Sequence, residues 1–310
     1  MSHSATDSLG GTPESLEGGT GASQDATAGA SQDGATAAAL SGATAAAMSA
    51  AAVGATSGAA VAAASIAHDL AHAETTDVAR PLVVALDGPS GSGKSSVSRQ
   101  VASRLGLAYL DTGAMYRAAT WWCVHRGVDL TDQPAVAALV AGMPLEIGVD
   151  PSHPTVHVDG TDIAEAIRDS SISTAVSAVA TNLEVRAELR RRQRELIDVE
   201  RTAGFSGGVG VVAEGRDITT VVAPDADVRV LLTASEEARL ARRAKDVHGD
   251  ADASSVEATR DQVVRRDRDD STVSQFLVAA DGVVTVDSSD LDFEQTVQAV
   301  LEVVERTGQR

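Results

Sequence analysis

The sequence has 310 residues, a formal net charge of −19 and a single cysteine, Cys123. So acidic a chain repels the phosphates of nucleic acid polymers, which we therefore exclude as partners. One cysteine cannot form an intramolecular disulfide and fits a reducing cytoplasm, and the 7 histidines show no metal-binding spacing.

Residues 1–80 form a low-complexity tail of Ala, Gly, Ser, Thr and Asp. Such a segment has too few large apolar side chains to offset the entropy of the chain, so we expect it to be disordered. Residues 44–67 are mostly alanine and contain no leucine, and no basic region precedes them at the N-terminus. We therefore expect neither a membrane span nor a secretory signal.

The first folded stretch is an apolar run at 82–86, which predicts a buried strand. A G-x-x-x-x-G-K-S/T motif follows: Gly88, Pro89, Ser90, Gly91, Ser92, Gly93, Lys94 and Ser95, with Ser96 next. Val97, Val101 and Leu105 then recur at helical spacing. A strand, a glycine loop and a helix are the context in which this motif binds a nucleoside triphosphate, with Lys94 on the β/γ-phosphates and Ser95 on Mg²⁺. The alternative is a Gly/Ser-rich turn that matches by chance.

A second strand is predicted at 107–110, and it ends at Asp111 before a helix through Val124. Parallel strands bring their carboxyl ends to one edge, so Asp111 should lie beside the glycine loop, where it could hold water on Mg²⁺. Arg117, one turn into the helix, could clamp a phosphate. The alternative is a helix-capping aspartate with a surface arginine.

In the middle of the chain, the spacing of apolar residues changes from helical to alternating. A helix is predicted at 128–142, followed by short strands at 145–149 and 155–158 and a turn at 159–162. This predicts a small antiparallel insert. A long helical region at 173–199 comes next and should break near Asn182.

The alternation of strands and helices then resumes. Strands are predicted at 209–213, 228–233 and 283–287, and helices at 235–245, 256–268 and 293–304, with a polar loop at 246–252. The five parallel-type strands predict a doubly wound α/β fold. Arginine-rich stretches at 186–201, 239–245 and 260–268 suit a small, highly anionic substrate, or are solvated helix faces with internal ion pairs.

Three motifs in this order resemble those of bacterial cytidylate kinases: Asp111-Thr112-Gly113-Ala114-Met115-Tyr116-Arg117, Glu214-Gly215-Arg216-Asp217 and Arg266-Asp267-x-x-Asp270-Ser271. The resemblance runs from about Pro81 to the C-terminus. It implies a P-loop NTPase fold in a domain at 81–310, with an inserted monophosphate-binding part at about 118–200 and a lid at about 240–275. It also implies transfer of a phosphoryl group from ATP to CMP or dCMP in pyrimidine nucleotide metabolism, by a cytoplasmic and monomeric enzyme.

The resemblance implies a role for each matching residue. Lys94, Arg117, Arg216 and Asp111 would serve catalysis, and Arg117 and Arg216 would hold the CMP phosphate. Ser177, Arg186 and Asp217 would read cytosine, while Thr112, Tyr116, Arg266 and Asp270 would complete the substrate site. ATP and Mg²⁺ would be bound by the glycine loop and Ser95, and covered by lid arginines among Arg239, Arg242 and Arg243.

The chain departs from the family pattern after Asp270-Ser271, where an arginine two residues on is replaced by Val273. Arg268 or Arg243 are the candidates to substitute for it. Two alternatives stay open: another small-molecule P-loop kinase, such as a relative of adenylate or shikimate kinases, and a degenerate nucleotide-binding module with weak activity. A GTPase switch would need an N-K-x-D motif, which the sequence lacks.

Overall fold

A computed structural model describes residues 80–249 and 252–308, which belong to one compact unit, Thr76–Arg310. The predicted disordered tail lies outside the described residues except for Arg80, as do two residues of the polar loop predicted at 246–252. Arg80 itself is exposed and forms an ion pair with Asp227.

The centre of the fold is a parallel sheet of five strands in the order β2-β6-β1-β7-β8. The strands are β1 Leu82–Asp87, β2 Ala108–Asp111, β6 Gly210–Gly215, β7 Val228–Thr233 and β8 Val284–Asp287. Strand β1 is buried on both faces between β6 and β7, as its continuous apolar sequence predicts. The predicted doubly wound α/β fold is confirmed.

Helices flank the sheet and join its strands. They are α1 Lys94–Leu105, α2 Thr112–His125, α3 Gln133–Ala141, α4 Ser170–Ala180, α5 Leu183–Glu200, α6 Glu236–His248, α7 Ala253–Ser271 and α8 Phe293–Gly308. A short 3₁₀ helix spans Ala166–Arg168 and a π-helix spans Ile218–Val222.

The hydrophobic core has three parts. Helices α1 and α8 cover one face of the sheet through residues such as Val101 and Val300. The other face packs against Met115, Ile197 and Ile218. A third cluster, around Trp122, fills the inserted part.

The insert contains a second, antiparallel sheet of three strands, β3 Leu145–Ile147, β4 Val156–Val158 and β5 Thr161–Asp162. The antiparallel insert is thus confirmed, although the sequence predicted only a turn where β5 lies. Its connection to the main sheet includes a hydrogen bond from the Tyr109 amide to the Val149 carbonyl, at 2.8 Å.

Several helix boundaries differ from the predicted ones because of capping. Helix α3 begins at Gln133 rather than 128, because Asp132 accepts from the Ala135 amide and a proline follows in the first turn. The break predicted near Asn182 is confirmed, since Asn182 caps α5. Helix α6 runs to His248, further than predicted. Within the described ranges, no helix combines the length and the apolar character that a membrane crossing requires.

Candidate active site

The glycine loop between β1 and α1 is shaped to receive an anion. Gly91 has a φ of 78°, and a Cβ there would lie 2.5 Å from the Arg239 carbonyl oxygen, so a side chain does not fit. The amides of Gly91, Gly93, Lys94, Ser95 and Ser96 donate no hydrogen bond within the described part of the chain. Five free donors at the start of a helix form a nest for phosphate oxygens.

Lys94 and Ser95 project into the same place. The Lys94 ammonium is buried and donates to the Pro89 carbonyl at 3.3 Å. Burial lowers the pKa of Lys94 to about 8, although the nearby Glu214 carboxylate acts in the opposite direction. The Ser95 hydroxyl donates to Glu214 Oε1 at 2.5 Å, and the Tyr109 hydroxyl donates to the same oxygen at 3.2 Å.

Asp111 is the last residue of β2 and Glu214 the penultimate residue of the adjacent strand β6, and the two are direct neighbours in the register. Burial raises the pKa of Glu214, and the charge of Asp111 raises it further. Asp111 both caps α2, accepting from the Ala114 amide at 2.8 Å, and pairs with Arg117 at 3.0 Å. The capping interpretation is therefore correct, but the pair lines the site and is not on the outer surface.

Asp87, at the end of β1, binds the segment that follows β6. This buried carboxylate accepts from the Ile218 and Thr219 amides and from the Thr219 hydroxyl, at 2.9, 2.8 and 2.6 Å. Burial raises the pKa of Asp87 to about 6, against the opposing effect of these hydrogen bonds. The contacts hold Arg216 and Asp217, which directly precede the π-helix, beside the glycine loop.

Arg216 is held by helix α7. Its Nη1 lies 2.8 Å from Asp267 Oδ1, its Nε lies 3.0 Å from Asp270, and its guanidinium stacks on Phe276, 4.6 Å from the ring centre. Asp267 also accepts from the Ser90 amide of the glycine loop at 3.0 Å and pairs with Arg239. One carboxylate therefore joins the loop, α6 and Arg216.

Arg266 lies among other cations. Burial lowers the pKa of Arg266 well below its ordinary value, and Arg216 and Arg117 lower it further. Its Nε donates no hydrogen bond to a residue that the structure describes, and neither does Arg117 Nε. Arg243 completes the group and forms no hydrogen bond or ion pair with a described residue. Buried guanidinium donors without acceptors are expected where an anionic ligand supplies the missing oxygens.

The far end of the site is built on Asp217. Its Oδ2 lies 2.6 Å from Arg186 Nη2, and both side chains are almost completely buried. The Arg186 guanidinium lies over the ring of Tyr116, 5.6 Å from its centre. Burial raises the pKa of Tyr116 to about 12, and its hydroxyl forms no hydrogen bond within the described ranges. A carboxylate, a guanidinium and a tyrosine hydroxyl are thus brought together.

The segment in which the sequence departs from the family pattern closes this end. Ser274 Oγ lies 2.5 Å from Arg186 Nη2, while Phe276 is buried against Arg216. Of the two arginines that the sequence suggested as substitutes, Arg243 lines the site, whereas Arg268 is exposed next to Asp269.

These groups surround a cavity of about 200 Å³ and a neighbouring one of about 600 Å³ that shares Ser95, Ser96, Asp111, Arg117, Arg243 and Arg266 with it. The smaller cavity brings together most of the predicted site residues: Ser90, Gly91, Gly93, Lys94, Ser95, Ser96, Asp111, Thr112, Tyr116, Arg117, Arg186, Arg216, Asp217, Arg243, Arg266 and Asp270.

Other predicted residues do not line either cavity. Gly88, Pro89 and Ser92 belong to the glycine loop but line neither cavity, and Arg239 donates to the Ser90 carbonyl at 2.9 Å. Ser177 is absent from both linings, where Val176 and Ala180 of the same helix are present. Arg242, a predicted lid arginine, donates instead to Ser288 and to the Leu291 carbonyl.

Sequence reasoning assigned no role to Glu214, Asp267, Ser274 or Phe276. Glu214 is the penultimate residue of β6, at the same sheet edge as Asp111, so the edge rule that selected Asp111 could have found it. Asp267 lies inside a motif already noted. Nothing in the sequence pointed to Ser274 or Phe276, because their contacts with Arg186 and Arg216 span 60 residues or more.

Comparison with known proteins agrees with this geometry. The family model described as cytidylate kinase matches residues 84–306. The cytidylate kinase of Streptomyces avermitilis is 49% identical over 226 residues, which cover 72% of this chain and 93% of that protein. The cytidylate kinase of Cutibacterium acnes is 50% identical over 225 residues, covering 72% and 96%. The chain therefore belongs to the cytidylate kinase family.

Proposed function

We propose that this protein transfers the γ-phosphoryl group of ATP to CMP or dCMP, giving ADP and CDP or dCDP. One observation carries the proposal: five free loop amides and Lys94 lie in the same cavity as a cluster of guanidinium groups and a cytosine-complementary pair. Such a cavity suits two anionic ligands, and family membership supports the identity of both.

ATP would place its phosphates on the loop amides and on Lys94. The acceptor phosphate would lie between Arg117, Arg216 and Arg266, where the Nε groups of Arg117 and Arg266 donate no hydrogen bond to a described residue. An oxygen of that phosphate attacks the γ-phosphorus in line, and the bond to the bridging oxygen of ADP breaks. The attacking oxygen is already anionic, so no general base is required, and the protein contributes positioning and neutralisation of charge.

Asp217, Arg186 and Tyr116 support a cytosine base at the far end. Cytosine presents an amino donor at N4 and acceptors at N3 and O2. The Asp217 carboxylate would accept from N4, while Arg186 would donate to the ring acceptors. Uracil carries the carbonyl oxygen O4 in place of this amino group. That acceptor would be repelled by the Asp217 carboxylate. Ser177 of the same helix as Val176 and Ala180 does not line this cavity, so Asp217, Arg186 and Tyr116 carry the cytosine proposal.

The donor set beside Lys94 fits Mg²⁺, which prefers oxygen ligands and keeps several waters. Ser95 Oγ and Glu214 lie 2.5 Å apart, and Asp111 is close enough to raise the pKa of Glu214. No group of three or more His, Cys, Asp or Glu in residues 80–249 and 252–308 is arranged to hold a metal. We infer that Ser95 holds the ion with Asp111 and Glu214 in reach, where it would neutralise charge on the phosphates.

We also propose cytoplasmic location and a monomeric state. Nucleotide substrates and the lone Cys123, whose thiol is buried with its pKa raised to about 11, are compatible with a reducing compartment. Sedimentation of the purified chain would measure the oligomeric state.

A coupled assay of ADP release across nucleoside monophosphates tests the proposal. We expect turnover with CMP and dCMP to exceed turnover with UMP, AMP and shikimate. Asp217→Ala should raise the KM for CMP and narrow the gap to UMP. ATP binding without turnover of any acceptor would instead favour a degenerate nucleotide-binding module, and preference for a different acceptor would favour another P-loop kinase.

A further inference from the structure

Arg190 lies behind the cytosine end of the site, in helix α5. Its Nε and Nη2 lie 2.9 and 2.6 Å from Asp217 Oδ2, and its side chain is 21% exposed. The next residue, Arg191, points to the surface and pairs with Glu188 and Glu195. Arg190 lines neither cavity, so it reaches a bound ligand only through Asp217.

The contacts on Asp217 are one-sided. Arg186 Nη2 and both Arg190 nitrogens converge on the single oxygen Oδ2. The other oxygen, Oδ1, accepts no hydrogen bond from a described residue. A carboxylate held in this way by three donors cannot rotate freely, and one of its oxygens stays available in the cavity that Asp217 lines.

The second arginine also changes the charge balance. Arg186 alone would neutralise Asp217, and Arg186 has further partners in the Ala180 carbonyl and Ser274. Arg190 adds a cation whose Nε and Nη2 both approach one oxygen, which fixes the plane of the carboxylate more firmly than the single Arg186 contact does. Both guanidiniums act against the effect of Asp217 on the pKa of Tyr116.

We propose that Arg190 is a positioning residue that fixes Asp217 for the amino group of cytosine and thereby sets the discrimination between cytosine and uracil. The inference rests on the proposed function, in which Asp217 accepts from cytosine N4. Without Arg190, the Asp217 carboxylate is less restricted and Oδ1 no longer has one fixed position. The hydrogen bond from the amino group of CMP to Oδ1 is therefore weakened. UMP, which makes no such bond, loses nothing.

The test compares Arg190→Leu and Arg190→Lys with the control Arg191→Leu, an exposed neighbour in the same helix. We expect R190L to raise the KM for CMP by about tenfold, the factor associated with one charge-assisted hydrogen bond, with kcat at saturation retained. The KM for UMP should not change, so the preference for CMP over UMP should fall by about the same factor. R190K should recover part of this preference, and R191L should behave as wild type.

Two outcomes would overturn the inference. The first is a folded R190L with the wild-type CMP KM and the wild-type preference over UMP. The second is an equal rise in KM for both nucleotides, since that indicates a general structural role. If R190L does not fold, calorimetric titration of R190Q with CMP and UMP makes the same comparison. A wild-type chain that phosphorylates no CMP would refute the proposed function itself, before any variant is compared.

Discussion

Lys94 is the side chain in the site whose removal should cost most. It is buried next to five free amides, where a positive charge acts at low dielectric on the transferring phosphoryl group. We expect Lys94→Ala to lower kcat by about 10²–10³-fold, as loss of a preorganised electrostatic donor does. Arg104→Ala is the control, because Arg104 is a cation of the same helix that pairs with Glu294 away from the cavities. Steady-state kinetics measure both, and an unimpaired K94A would remove the loop from catalysis.

The pKa of Lys94 predicts how ATP use depends on pH. Lys94 is charged below its pKa of about 8 and neutral above it. Because kcat/KM reports the free enzyme, kcat/KM for ATP should fall as pH rises through about 8. Bound triphosphate favours the charged ammonium, so kcat should hold to higher pH than kcat/KM. Rate profiles up to about pH 10 measure this, and coincident profiles would contradict the assignment.

At the scale of elements, Asn182 connects the start of α5 to the site. Its side chain accepts from the Glu184 and Val185 amides and donates to the Gln133 carbonyl at 2.9 Å. Asn182→Ala removes the cap and the hydrogen bond to the Gln133 carbonyl, which should lower the free energy of unfolding by about 2 kcal/mol in urea denaturation. Arg186 lies one turn further on, so the KM for CMP should rise as well.

Asp132→Ala provides the matched control for this cap. Asp132 caps α3 through the Ala135 amide but is exposed, and α3 contributes no residue to either cavity. We expect a loss of about 1 kcal/mol in unfolding free energy with no change in the KM for CMP. If D132A raised that KM as much as N182A does, the connection between the α5 cap and Arg186 would be disproved.

The strands, most helices and the glycine loop could be predicted because their signals are local. An apolar run such as 82–86 and a motif of eight consecutive residues contain their own evidence. In helix α5, the local sequence does not predict which arginines enter the site. Three consecutive arginines have three different environments. Arg190 contacts Asp217, Arg191 lies at the surface, and Arg192 donates to the Met143 carbonyl.

Which arginine enters the site is decided by packing rather than by local sequence. The face that α5 buries through Val185 and Leu189 sets the rotation of the helix. Ser274 and Phe276 illustrate the same limit, because a segment that departed from the family pattern offered no motif. Their roles depend on contacts with residues far away in the chain.

For the whole molecule, the predicted site residues and the three core clusters all lie between Arg80 and Gly308. The family model likewise matches residues 84–306. We therefore expect a chain that lacks residues 1–75 to retain the kcat and both KM values of the full chain. Parallel kinetics and thermal unfolding of the two proteins measure this. A truncated chain that folds but has lost CMP turnover would show that the low-complexity tail takes part in function.

The carboxylate of Asp267 touches the backbone that would hold ATP and the arginine that would hold CMP. A nucleotide that pulls Ser90 or Arg216 toward itself must redistribute the same three hydrogen-bonding partners. Binding of one nucleotide therefore changes the affinity of the site for the other, and this coupling is reciprocal by thermodynamic necessity. Bound ATP would then change the affinity for CMP by the same factor as bound CMP changes the affinity for ATP.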